Sequence, residues 1–201
     1  MRILVALGGN ALLRRNVEQA AASLAALAAE HELIVTHDSV PRIGHMLELA
    51  LRNRLPERDV VSVLTQVVVN GEDPEPNAIA EVRSLRVLVA SGALVICAGG
   101  GVPIALNGDG TVHEVEAGVD KDLTAALLAR RLDADLLLML AEGSIEPKVE
   151  AARRFAAITG RRAAIGWLDE VDQVVRGEAG TQVVAPAAEP AIAAERRLPQ
   201  H

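Results

Sequence analysis

Aromatic residues are almost missing from this chain. Its 201 residues include one Phe (Phe155), one Trp (Trp167) and no Tyr. Recognition of nucleic acid by base stacking therefore has little to work with. A formal net charge of −7 offers no general attraction to a polyanion, so no nucleic-acid partner is expected. Cysteine is reduced to Cys97, inside the apolar run LVIC. It cannot form an internal disulfide, reads as a small buried hydrophobe, and suits a reducing compartment, the cytoplasm. No run approaches the roughly 18 uninterrupted apolar residues of a membrane span. The N-terminus reads as a strand carrying Arg2 rather than a signal peptide, and no membrane partner is expected. Lysine is the most informative scarcity: of 20 basic residues only Lys121 and Lys148 are lysine.

Half of the residues are hydrophobic and nearly all of that mass is aliphatic. Strand and helix patterns alternate along the chain. Residues 2–7 form an apolar run that meets Gly8, Gly9 and Asn10, and 16–30 is an alanine-rich helical segment. A strand at 33–36 precedes a helix that Pro41 opens and that runs to about Arg54. The Val-rich segment 60–69 is the strongest strand, and 77–91 reads as helix. A strand over 94–98 ends in the glycine run 99–101, and a hairpin is centred on NGDG. Helices at 120–131, 147–159 and about 168–175 alternate with strands at 135–140, 162–166 and 182–184. The Ala/Pro-rich tail from 186 reads as a frayed extension. Alternation of this kind predicts an α/β fold with a mainly parallel sheet, helices on both faces, and ligands at the carboxyl ends of the strands.

Both lysines fall beside predicted helix N-termini, in EAGVDKD (116–122) and EPKVEAA (146–152). Free N–H groups and the helix dipole already favour anions there. A lysine adds a mobile full charge suited to a phosphoryl group in transfer. Taken singly, each lysine could be an ordinary solvated side chain; two such placements in a chain otherwise without lysine point to chemistry. Asp120 and Asp122 flank Lys121 and diverge by about 100° per residue on a helix. One is expected to cap the helix while the other orients lysine or holds Mg²⁺ through water.

The segments LVALGGNAL, VLTQVVV, VICAGGGVP, VEAGVDKDLTAALLA, DADLLLML and GSIEPKVEAA, in this order, resemble carbamate kinase, of the amino acid kinase superfamily. The similarity runs through AAIGWLDEVDQVVRGEAGTQVV. It implies an open αβα sandwich over 1–185, with an N-terminal substrate lobe to about residue 105 and a C-terminal nucleotide lobe over about 106–185. The tail, 186–201, lies beyond it. It also implies a homodimer that transfers phosphoryl groups reversibly between ATP and carbamate, with ATP/ADP and Mg²⁺, in arginine metabolism. Carried over by residue, Gly8, Gly9 and Asn10 would meet the transferring phosphoryl group. Gly99, Gly100 and Gly101 would line the phosphate site, and Ser39 would contact substrate. Lys121 and Lys148 would stabilise charge in flight, and Asp120 would organise them.

The chain also departs from the family. Where the family has HGNGPQVG, this sequence reads HDSVPRIG (37–44), placing Asp38 where an anion is expected. Three blocks are missing: one after Gly44, one after the DP of NGEDP where the family carries a protruding subdomain with a third lysine, and one between LLLML and EGSIEPK. The glycine run is one residue shorter. Two functional classes are therefore open on the residues alone: a small phosphotransferase, or a catalytically impaired homologue that binds nucleotide or phosphate or serves to dimerise.

Overall fold

The computed structural model describes residues 1–8, 16–37, 41–70, 75–116, 118–140 and 145–185. Their strands form one sheet in the order β4-β3-β5-β2-β1-β7-β8-β9, with β6 paired to β5 beside the path. The strands are β1 (Arg2–Leu7), β2 (Glu32–His37), β3 (Val60–Val68), β4 (Ala78–Ile79), β5 (Leu94–Leu106), β6 (Val112–Glu114), β7 (Leu136–Leu140), β8 (Arg162–Gly166) and β9 (Thr181–Val183). The central six pair in parallel; β4, β6 and β9 are antiparallel additions.

The helices α1 (Val17–Glu30), α2 (Pro41–Arg54), α3 (Val82–Ala90), α4 (Lys121–Arg131), α5 (Glu146–Thr159) and α6 (Val171–Arg176) cover both faces. Alternation of side chains along each strand splits the core in two. Ile3, Val5 and Leu7 of β1 pack with α1, α2 and α6. Leu4 and Ala6 pack with α3, α4 and α5, around Phe155. Strands buried on both faces must be apolar throughout, which is why β1 and β7 read as uninterrupted aliphatic runs. The expected αβα sandwich is therefore observed. Only residues 69–77 separate β3 from β4, which leaves no room for a protruding subdomain.

Two sequence expectations need correction. The segment 77–91 is not one helix: β4 first pairs with β3, and α3 begins at Val82. The Gln66 N–H donates to the Glu81 carboxylate at 2.8 Å, which ties this corner to the sheet. Nor does the strand at 94 end in its glycines. β5 runs thirteen residues, from Leu94 through Gly99, Gly100 and Gly101 to Leu106. Leu64 pairs with Ala98 and Gln66 with Val102, so three glycines oppose Thr65 alone. The glycines accommodate a bulge within a strand rather than a turn after one.

Candidate functional site

Strand register defines the floor of the site. Leu7, the last residue of β1, is level with His37 of β2 and Leu140 of β7, and Leu140 is level with Gly166 of β8. The chain runs from β1 outward through β2 to β3 and then returns to place β7 on β1's other side. That reversal is where open α/β sheets bind ligands, beyond the carboxyl ends of the strands. Gly8 sits directly above Leu7 and is buried. On one side the upper halves of β3 and β5, with the β5–β6 hairpin, continue past this level as a wall.

Buried polar side chains gather at this edge. Among the described residues they are Thr36, His37, Thr65, Asp122, Thr124 and Lys148. Burial of such groups costs free energy unless partners are supplied, so their concentration beside one sheet edge marks that edge as more than packing. A crevice there is lined by Ala6, Leu7, Thr36, His37, Lys121 and Asp122. Cys97 lies one level below, wholly buried. Burial, with a contribution from the Glu81 charge, pushes its thiol up to about 12, so it is an inert core residue as its sequence context implied.

Both lysines reach this edge by the same device, a helix whose N-terminus points to it. α4 opens with Asp120 as its cap: one carboxylate oxygen accepts from the N–H groups of Asp122 (2.8 Å) and Leu123 (2.9 Å). The next carboxylate does something different. Asp122, 6% exposed, accepts two hydrogen bonds from Lys148 Nζ, at 3.0 and 3.1 Å. Lys148 lies in the first turn of α5 and is itself 7% exposed. Lys121, at the first position of α4, is exposed. The expected division of labour between the two aspartates is thus present with the residues exchanged: Asp120 caps and Asp122 holds the lysine. Asp120 leads the helix with an extended backbone (ψ 117°), which turns its carboxylate onto the first-turn N–H groups. Asp122, inside the helix, faces α5. Ile145 brings no capping side chain to α5, and Pro147 has no N–H to satisfy.

Of the other sequence-predicted site residues, Gly99, Gly100 and Gly101 occupy the β5 bulge, at the height of Gly8 on the far side of β2. Gly9, Asn10 and Ser39 lie outside the described residues. The sequence does not single out His37, and it offers Asp122 only as one of two carboxylates, cap or lysine partner. Both are polar residues next to a named motif, and what marks them, burial at the strand ends, is a property of the fold.

This architecture is that of the amino acid kinase fold. Carbamate kinase from Giardia lamblia, solved with AMP-PNP bound, superposes with a TM-score of 0.84 at 23% identity, over 92% of this chain and 98% of that one. A protein from Aeropyrum pernix gives 0.83 at 25% identity, over 92% and 100%. No family model matches the sequence. The carbamate kinase of Rhizobium meliloti is 31% identical, with 90% of this chain and 92% of that protein aligned, and that of Pyrococcus horikoshii is 26% identical over 90% and 98%. The chain belongs to the carbamate kinase family. The Rhizobium alignment extends over 299 positions and includes 90% of this 201-residue chain, so about 120 of them face gaps in it, in keeping with the blocks missing from its sequence.

Proposed function

We propose that this protein is a compact carbamate kinase that transfers a phosphoryl group reversibly between ATP and carbamate. Lys148 carries the proposal. It is a buried ammonium fixed by a carboxylate at the strand-end crevice, with a second, exposed lysine at its rim. In phosphoryl transfer the protein's work is to position the reactants and to stabilise charge on the moving group.

In this reading a carbamate oxygen attacks the γ-phosphorus, the bond to the β–γ bridging oxygen breaks, and ADP leaves with the electron pair. Gly8, with Gly9 and Asn10 after it, lets the phosphoryl group approach the backbone. Lys148 stands against the transferring oxygens from below, and Lys121 reaches them from the rim. Asp122 keeps Lys148 aimed. The glycines of the β5 bulge border the acceptor side, and Ser39 contacts the substrate on family grounds. The nucleotide occupies the half contributed by residues from about 106 to 185, and the acceptor the half before it. Among the described residues no three His, Cys, Asp or Glu side chains form a metal cluster. Asp122 is committed to Lys148 and Asp120 to the α4 cap. Mg²⁺ therefore fits as an ion carried by the nucleotide's phosphates and water. A homodimer working in the cytoplasm, in arginine metabolism, completes the reading on family grounds; no helix among the described residues is long and apolar enough to cross a membrane.

The test is formation of ATP from ADP and carbamoyl phosphate by the purified chain, read by luciferase. Activity in the wild type that disappears in Lys121→Ala is the expected outcome. A wild type without turnover that still binds ATP in calorimetry would favour the impaired homologue and overturn the proposal.

A further inference from the structure

Trp167 is the only tryptophan in the chain, and it is 46% exposed in a protein that has almost no other aromatic side chain. It follows Gly166, the last residue of β8, with extended dihedrals (φ −101°, ψ 153°) that continue the strand by one step. Register places it precisely enough to be useful. Leu7, Leu140 and Gly166 form one row across β1, β7 and β8, so Gly8 and Trp167 stand one residue above that row, two strands apart. At ordinary strand spacing the separation is about 10 Å. Ala163 and Ile165 pack in the layer that contains α4 and α5. Alternation along the extended backbone carries Trp167 to that same face, the face of Lys148.

The support beneath it is tight. A Cβ on Gly166 would clash with the Val174 side chain, and one on Gly180 with the Ile165 carbonyl oxygen. Leu168, the next residue, is buried in the opposite core layer, and the Glu170 N–H donates to the Trp167 carbonyl at 3.2 Å. An indole held on a rigid base, level with Gly8 and about 10 Å to the side of it, suits stacking against a flat ring.

We infer that Trp167 is the platform for the base of the nucleotide, a specificity-determining residue that reads the purine ring while the lysines hold the phosphates. This rests on the reading of the site as an ATP site. It assigns the β8 end to the base, the β1 end to the transferring phosphoryl group, and the span of β7 between them to the ribose and the remaining phosphates.

The experiment compares ATP with inorganic tripolyphosphate, which carries the charge without a base. Affinities come from calorimetry and Trp167 fluorescence is followed in parallel, using the full chain. The expected result is that ATP shifts or quenches the emission and tripolyphosphate binds without doing so. Trp167→Ala should weaken ATP about tenfold, as loss of one base–aromatic stack does, and leave tripolyphosphate unchanged, with Trp167→Phe restoring most of the loss. ATP binding with unaltered emission and an unaltered Trp167→Ala affinity would overturn the inference and leave the phosphotransferase reading standing. Equal weakening of ATP and tripolyphosphate in Trp167→Ala would overturn it too, by showing a structural role. Failure of wild type to bind either compound would overturn both.

Discussion

The two edges of the sheet use positive charge in opposite ways. At the amino edge arginine is a staple. Arg58 donates to the carbonyls of Ala28 and Gly92, near the ends of α1 and α3. Arg2 donates to the Leu132 carbonyl just past α4 and pairs with Glu32, and Arg161 donates to the Ala134 carbonyl. Helix C-termini expose unsatisfied carbonyls and partial negative charge, and the guanidinium fork answers both. At the carboxyl edge the helices present their N-termini, and the described cations in their first turns include Arg42, Arg83 and the two lysines. A cation beside a helix N-terminus is electrostatically misplaced unless an anion joins it. For Lys148 the structure supplies Asp122, and in the proposed reading a phosphate joins them. One edge ties helix ends to the sheet; the other, in the proposed reading, holds charge for a phosphate.

Breaking the buried pair should have the largest effect. Lys148→Ala leaves the Asp122 carboxylate buried without its counter-charge, a loss of about 3–5 kcal/mol, together with all turnover. Chemical denaturation followed by the luciferase assay checks both. Lys121→Ala is the sharpening control: being exposed, it should change stability by no more than about 0.5 kcal/mol while abolishing turnover. If both lysine variants lost the same stability, the contrast between them would fail. Arg58→Ala, at the other edge, should lower stability by about 1–3 kcal/mol and leave the Michaelis constants untouched.

Asp120→Ala removes a cap and should cost about 1 kcal/mol; an accompanying loss of turnover as complete as that of Lys121→Ala would return to Asp120 the lysine-organising role that the family resemblance implied. The smallest effect concerns Cys97. Its thiol holds its proton more tightly when folded, up to about 12 against 9.0. Its contribution to stability is therefore whole below pH 9 and declines as pH rises from there toward 12. Native protein at pH 8 should leave Cys97 unreactive toward a disulfide reagent, and labelling should track global unfolding.

How far the sequence could be read depended on whether the relevant contact was local. α2 begins at Pro41 and ends at Arg54 as its punctuation implied, and Asp120–Arg131 carried its own cap and periodicity. Gly99 to Gly101 misled because a glycine run looks the same in a turn and in a bulge. The difference lies in β3, earlier in the chain, whose Gln66 recovers the pairing at Val102. The carboxylates of DKD could be divided into one cap and one lysine partner from helix geometry alone. Which was which depended on where α5 docks, a contact across 26 residues. Trp167 stood out by rarity, yet its height above the sheet follows only from the register of β7 and β8.

In the proposed reading, the Asp122–Lys148 contact also sets when activity can arise. Its two ends belong to α4 and α5, and β7 must be inserted beside β1 before the second helix can lie against the first. A chain that has formed its helices and the β1–β2–β5–β3 half of its sheet still has no aimed ammonium. In refolding, the return of turnover will therefore lag the return of helical signal, and a truncated product of translation will be catalytically silent rather than weakly active.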